Sequence, residues 1–263
     1  MMSDAEVITI LICFLFNSYR NFKHYYLSCV CGVWKRLFPR RFSYNRFVEV
    51  TPRCFVALTM FLRLSCFGEC SGISFVDSTC IPVVHNKRER SMRVFKGLAT
   101  KGKSTMGWYI GFKLHLLCND RGELLNFVLT RANVDDRNEA VIDTLTDRVF
   151  GKLYADKGHI SQSLFGRLWS DGIHIVTGLR SNMKQQLMPL FDKITLRKRC
   201  VIETVNDMLK NVAQIMHTRH RSVHNFLMNQ LAAMGAYCFL SNKPGGNFEY
   251  EIPEADGQLV LWQ

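Results

Sequence analysis

Apolar positions in residues 1–71 recur at helical spacing. Ile8, Leu11, Ile12 and Leu15 share one helix face. Ser3 precedes that run and Glu6 follows three residues later, the pattern of a capping box. A second helix is predicted over Asn21 to Val30. A third, capped by Ser43 or Asn45, passes through Arg46 and Val50, and a fourth covers Phe55 to Arg63. From Gly72 the period changes. Ile73 to Thr79 is a β-rich run whose apolar part ends in a carboxylate, Asp77. Residues 108–118 alternate Trp108, Ile110, Phe112, Leu114 and Leu116 on one face, and Glu123 to Thr130 continues as a strand after the Asn119–Gly122 turn. A helix capped by Asp135 or Asp136 follows, carrying Ala140, Ile142, Leu145 and Val149. Then come a short strand from Lys152 to Asp156, a helix from Ser161 to Ser170 and a strand from His174 to Leu179. One long helix is predicted over Leu196 to Met216, with Ile202, Val205, Leu209, Val212 and Ile215 buried, and a last one over Phe226 to Leu240.

The order of elements from Gly72, three strands and then alternating helices and strands, is that of an α/β fold with a ribonuclease-H-like core. This reading expects a mixed sheet flanked by helices, preceded by a small helical N-terminal region. It divides the chain into a helical, DNA-binding region 1–71, a catalytic domain 72–240 and an acidic tail 241–263.

Composition narrows the function. The chain has 263 residues, of which 48% are hydrophobic and 21% charged, so a disordered or low-complexity chain is excluded. The net charge of +12 points to a polyanionic partner. Residues 77–240 hold 24 Lys and Arg against 14 Asp and Glu, so the charge belongs to the body of the protein. Residues 85–103 carry seven basic side chains and one acidic one, a phosphate-seeking loop with Lys87, Arg88, Arg90, Lys101 and Lys103. The apolar run Ile8 to Phe16 is too short to span a membrane, which takes about 20 residues. The ten cysteines form no C-x-x-C pair, which fits free thiols in a reducing cytoplasm. His217, His220 and His224 are read as part of a solvated basic face, since no cysteine or carboxylate stands near them to complete a zinc site.

Three acids recur at element ends: Asp77, Asp156 and Glu203. A carboxylate at the apolar end of a strand is costly to bury without a partner, and a divalent cation is a natural one. Hard oxygen ligands suit Mg²⁺ or Mn²⁺. Two such ions about 3.5–4 Å apart hold the attacking and leaving oxygens of a phosphoryl transfer. Around Glu203, Arg199 lies four residues before and Lys210 seven after, on one helix face.

Three segments carry a family resemblance. They are Gly72-Ile-Ser-Phe-Val-Asp77-Ser-Thr, the turn Ala155-Asp156-Lys157-Gly158, and Arg199-x3-Glu203-x6-Lys210. Together they resemble the DDE signature of bacterial insertion-sequence transposases, above all the insertion sequence 982 family. The match extends through Tyr109-Ile-Gly-Phe-Lys-Leu-His-Leu, Asn133-Val-Asp-Asp and Arg219-His-Arg-Ser. Leu196 and His159 stand where tyrosine is expected in this group, and no role is carried over to them. The resemblance implies that Asp77, Asp156 and Glu203 bind two Mg²⁺ or Mn²⁺ ions and that Arg199 and Lys210 contact DNA. It implies double-stranded DNA as partner, at element ends and target, with the protein acting as a homo-oligomer on it and no membrane involved. Arg40 and Arg41, among the aromatics of the N-terminal region, are the candidates for end recognition. Two alternatives stay open: a nuclease of the same fold without strand transfer, and an inactive or truncated DNA-binding protein derived from such an element.

Overall fold

The computed structural model describes residues 2–17, 19–156, 158, 162–178, 188–216 and 220–246. The N-terminal helix α1 (Asp4–Phe16) starts as expected. The Ser3 hydroxyl accepts from the Glu6 amide, and the Glu6 carboxylate accepts from the Ser3 amide. Its most buried face is Val7, Ile10, Phe14 and Leu15 rather than the stripe through Ile8 and Leu11, which are only half-buried. Helix α2 (Phe22–Tyr25) is capped by Asn21 and runs on as a π-helical stretch to Val33. Ser43 caps α3 (Tyr44–Val50), and α4 (Phe55–Phe61) continues as a π-helical turn to Cys66.

Among the described residues there are six strands, β1 (Ile73–Val84), β2 (Thr100–Ser104), β3 (Gly107–Asn119), β4 (Leu124–Arg131), β5 (Gly151–Ala155) and β6 (Ile173–Thr177). They form one mixed sheet. β3 is antiparallel to β1 along one edge, and β2 and then β4 pair along its other edge. β5 and β6 continue the sheet in parallel beyond β1. The remaining helices are α5 (Glu139–Thr146), α6 (Gln162–Ser170), α7 (Leu190–Arg197), α8 (Cys200–Asn211) and α9 (Val223–Cys238). This is the expected α/β, ribonuclease-H-like arrangement.

Two cores sandwich the sheet. On one side Ile142, Leu145, Leu164 and Leu168 of α5 and α6 pack against Val76, Leu117, Leu153 and Ile175. On the other, α8, α9 and the N-terminal helices share one apolar cluster, from Val7 and Tyr25 through Phe75 and Leu116 to Val205 and Tyr237. Burial of apolar surface on both faces is the main driving force for such a fold. Among the described residues, no helix is long and apolar enough to cross a membrane.

Several expectations need correction. Strand β1 does not stop after Asp77. It continues to Val84 because β3 pairs with it along its full length, so Asp77 is a mid-strand residue. Lys101 and Lys103 are not in a loop but on β2, while Lys87, Arg88 and Arg90 lie on an exposed 3₁₀ turn (Asn86–Ser91). Asn138, not Asp135 or Asp136, caps α5, through its side chain to the Val141 amide. The predicted long helix is two helices, broken at Lys198 and Arg199, and Val212 is exposed beyond the end of α8. The aromatics near Arg40 and Arg41 do not form an open DNA-facing surface. Tyr25, Tyr26 and Phe38 are buried, and Trp34, Phe42 and Tyr44 pack against the same cluster. Ser161, Leu179 and His217 lie outside the described residues.

Candidate active site

Glycines set the register of the two central parallel strands. Gly72 and Gly151 stand at the starts of β1 and β5 with φ of +87° and +81°. A Cβ on Gly151 would meet the Gly72 carbonyl oxygen at 2.5 Å. Glycine alone tolerates both the left-handed backbone and the close approach. The Lys152 amide then donates to Gly72 O at 2.8 Å, and Phe75 comes opposite Tyr154. Two residues further along each strand are Asp77 and Asp156. The register thus carries both acids to the same level on neighbouring strands, Asp77 still held by β3 and Asp156 just past the end of β5 and exposed.

A buried cluster also anchors β5. The Asp192 carboxylate on α7 is almost wholly buried and accepts from Lys152 Nζ at 2.6 Å and from the Tyr154 hydroxyl at 2.8 Å. Burial, and then the Asp192 carboxylate, hold the Tyr154 hydroxyl well above its ordinary pKa. These ties fix the strand that ends in Asp156.

Helix α8 brings the third acid. Its apolar face, Val201, Ile202, Val205 and Leu209, packs onto the sheet and leaves Glu203 in the first turn, 54% exposed. A carboxylate there is favoured by the helix dipole. Arg199, directly before α8, spans the gap to Asp77. Its Nη2 donates to Glu203 Oε1 at 2.5 Å, and its Nη1 lies 3.7 Å from Asp77 Oδ1. Asp77 is 22% exposed, so this pair is half-shielded from water. The structure therefore brings Asp77 and Glu203 to one cation, with Asp156 level with Asp77. Among the described residues, no group of three His, Cys, Asp or Glu side chains forms a ready metal site.

Asn206 is a site residue that the sequence reading missed. It is 5% exposed, and its Nδ2 donates to Asp77 Oδ2 at 2.9 Å. Its Oδ1 is buried with no partner among the described residues. The signal was present: Asn206 lies three residues after Glu203 and four before Lys210, on the stripe that holds Arg199. Lys210, half-buried in the last turn of α8, is in no ion pair among the described residues. Arg40 is exposed and Arg41 half-buried in the N-terminal connector, and neither pairs with the three acids.

The family model for the "Transposase DDE domain" matches residues 67–223, more than half of the chain, a span that contains Asp77, Asp156 and Glu203. No curated protein matches the chain in sequence. Among solved structures, the fold is similar to that of a piggyBac transposase synaptic complex with hairpin DNA, with a TM-score of 0.53 and 11% identity over 90% of this chain. The chain spans 66% of that protein, just under two thirds of its length. The Mos1 strand transfer complex is 14% identical over 94% of this chain and 79% of its own, but its TM-score of 0.27 is too low to build on.

Proposed function

The chain belongs to the family of transposase DDE domains, and from that premise we propose that it cuts DNA at the ends of a mobile element and joins the freed end to target DNA. The motifs around its acids resemble those of the insertion sequence 982 group, and the proposal extends to that group. The observation that carries the reading is the register of the parallel strands β1 and β5, which runs Asp77 and, just past the end of β5, Asp156 toward one level, with Glu203 drawn to Asp77 through Arg199.

The reaction has two phosphoryl transfers. In the first, a water oxygen bonds to phosphorus at the element end and the bond from phosphorus to the 3′ oxygen breaks. One water proton ends on the departing 3′ oxygen. In the second, that 3′ hydroxyl attacks a target phosphodiester, a new ester forms, and a target 3′ hydroxyl leaves.

The side chains fit a divalent cation. The donors are hard carboxylate oxygens. The gap between Asp77 and Glu203 is already a cation position, filled here by the Arg199 guanidinium. Asn206 Oδ1 beside Asp77, without a partner among the described residues, is a further acceptor for a bound water. Asp77, Asp156 and Glu203 would hold Mg²⁺ or Mn²⁺, which supplies activation of the attacking oxygen and neutralises charge on the leaving one.

The chain's own residues do the rest. Asn206 orients the Asp77 carboxylate. Arg199 presents its fork to a phosphate, for which bidentate geometry suits it. Lys210, two helical turns beyond Glu203, adds a second backbone contact. Lys87, Arg88 and Arg90 on the exposed turn supply affinity without sequence readout. Joining two element ends requires two copies of the site, hence a homo-oligomer on DNA. Incubating the protein with Mg²⁺ and DNA carrying the reading frame with its flanks tests the reading. Joined products are expected. Cut ends without joining support a nuclease, and binding without cutting an inactive derivative.

A further inference from the structure

A second concavity lies at the edge of the sheet where β2 and β3 meet the segment after β4. It is an open recess of about 500 Å³. That volume lies in the range of small-ligand pockets, about 300–1,000 Å³. One wall is Trp108, an aromatic side chain left 57% exposed on a strand whose other large residues are mostly buried. Lys101 Nζ stands 5.4 Å and Lys103 Nζ 6.0 Å from its ring centroid.

The remaining charges nearly cancel. Lys113 Nζ is bonded to Asp136 Oδ1 at 3.1 Å, and Arg137 makes a two-pronged pair with Asp135 at 2.8 and 2.9 Å. The Arg137 guanidinium holds the Asp135 carboxyl well below its ordinary pKa, so that pair stays ionised. Lys101 and Lys103 are in no ion pair among the described residues. The cavity thus combines one exposed aromatic ring with two cations that lie over it and are in no ion pair among the described residues. Gly158, two residues after Asp156, forms part of its lining, while Trp108 lies beyond the Val84–Ile110 pair, at the far end of β1 from Asp77.

We infer that this cavity takes an unpaired nucleotide of a DNA single strand, its base stacked on Trp108 and its flanking phosphates drawing Lys101 and Lys103 off the ring face. The chemistry is that of single-strand recognition. Stacking needs a base face that a duplex keeps covered by its neighbours, and lysines supply the sequence-independent remainder. That the strand belongs to the DNA being processed rests on the function proposed above, but the binding itself does not.

The test is a fluorescence-anisotropy titration without divalent metal, using a labelled single-stranded oligonucleotide and a blunt duplex of the same length. Trp108→Ala is expected to weaken single-strand binding by about tenfold while leaving duplex binding nearly unchanged. Trp108→Phe, which keeps a stacking ring, should retain most of the single-strand affinity. Lys101→Gln with Lys103→Gln should flatten the salt dependence for the single strand by about 1.4 units of slope, about 0.7 for each lost phosphate contact. Because Trp108 is largely exposed, melting curves of the variants should match the parent. Equal losses on both DNAs, no loss on the single strand, or a Phe variant as weak as the Ala variant overturns the inference. Since no cleavage is scored, failure of the transposase reading would leave this result standing, and the reverse also holds.

Discussion

Asn206 offers a perturbation in which stability and activity should part company. Replacing it with alanine removes the Nδ2 bond to Asp77 Oδ2, 2.9 Å long and made to a carboxylate. Such a bond contributes about 1.5–3 kcal/mol. The same substitution removes Asn206 Oδ1, which is buried without a partner among the described residues. An unsatisfied buried acceptor costs about 1–3 kcal/mol, so the two effects offset. Net stability should change by about 1 kcal/mol or less, a melting shift of at most about 2–4 °C for a chain of this size. Activity has no such offset. The Asp77 carboxylate loses the group that orients it, and loss of the residue that orients a metal-binding carboxylate typically lowers activity by about 10–100-fold. Asn206→Leu, which refills the volume, should behave like the alanine variant in cleavage and melt no lower. The assay is the Mg²⁺-dependent cleavage rate at saturating DNA, with calorimetric melting and DNA affinity measured on the same preparations. Full cleavage activity in Asn206→Ala would refute the reasoning. So would a large fall in melting temperature that accounts for the lost activity.

Three further outcomes follow from the geometry. Asp192→Asn should weaken the Lys152 and Tyr154 contacts and cost about 2–3 kcal/mol, discounted because Lys152 is partly exposed. Melting should then fall by about 5–10 °C, and an unchanged melting curve would mean that this cluster does not anchor β5. Lys210→Ala should make the dependence of log K on log salt shallower by about one unit, the signature of one lost phosphate contact, whereas an unchanged slope would place Lys210 in solvent only. Arg40→Ala with Arg41→Ala should weaken binding to element-end DNA without altering the circular dichroism melt. Unchanged affinity would move end recognition to the strand and turn that carry Lys87, Arg88, Arg90, Lys101 and Lys103.

Most elements were legible because their signals are local. The Ser3 and Glu6 cap, the Asn119–Gly122 turn and the alternation through β3 each act within a few residues. What escaped depends on partners distant in sequence. Strand β1 reads as ending near Asp77 because Ser78, Thr79 and Pro82 dilute its apolar run, yet β3 pairs with it to Val84 despite a register shift at Pro82. Helix α7 was missed because its anchor, Asp192, is a buried charge whose partners lie on β5. The aromatics of the N-terminal region suited DNA in sequence, but the cluster around α9 buries most of them. Within the site, the acids stood out through spacing, whereas Asn206 reads as an ordinary polar helix residue until β1 is laid beneath it. Trp108 read as one more core position. Its exposure follows from its place near the hairpin end of β3, where the sheet has only β2 as a neighbour.

The central claim is that Asp77, Asp156 and Glu203 act together on a phosphodiester. The direct measurement is Mg²⁺-dependent cleavage of DNA carrying this reading frame with its flanking sequence, by the parent protein and by Asp77→Asn, Asp156→Asn and Glu203→Gln, with DNA affinity determined in parallel. Each substitution keeps side-chain size and removes one anionic ligand. Abolished cleavage with DNA binding largely intact in all three is the predicted result. Strong Mg²⁺-dependent cleavage remaining in any one of them would contradict the account.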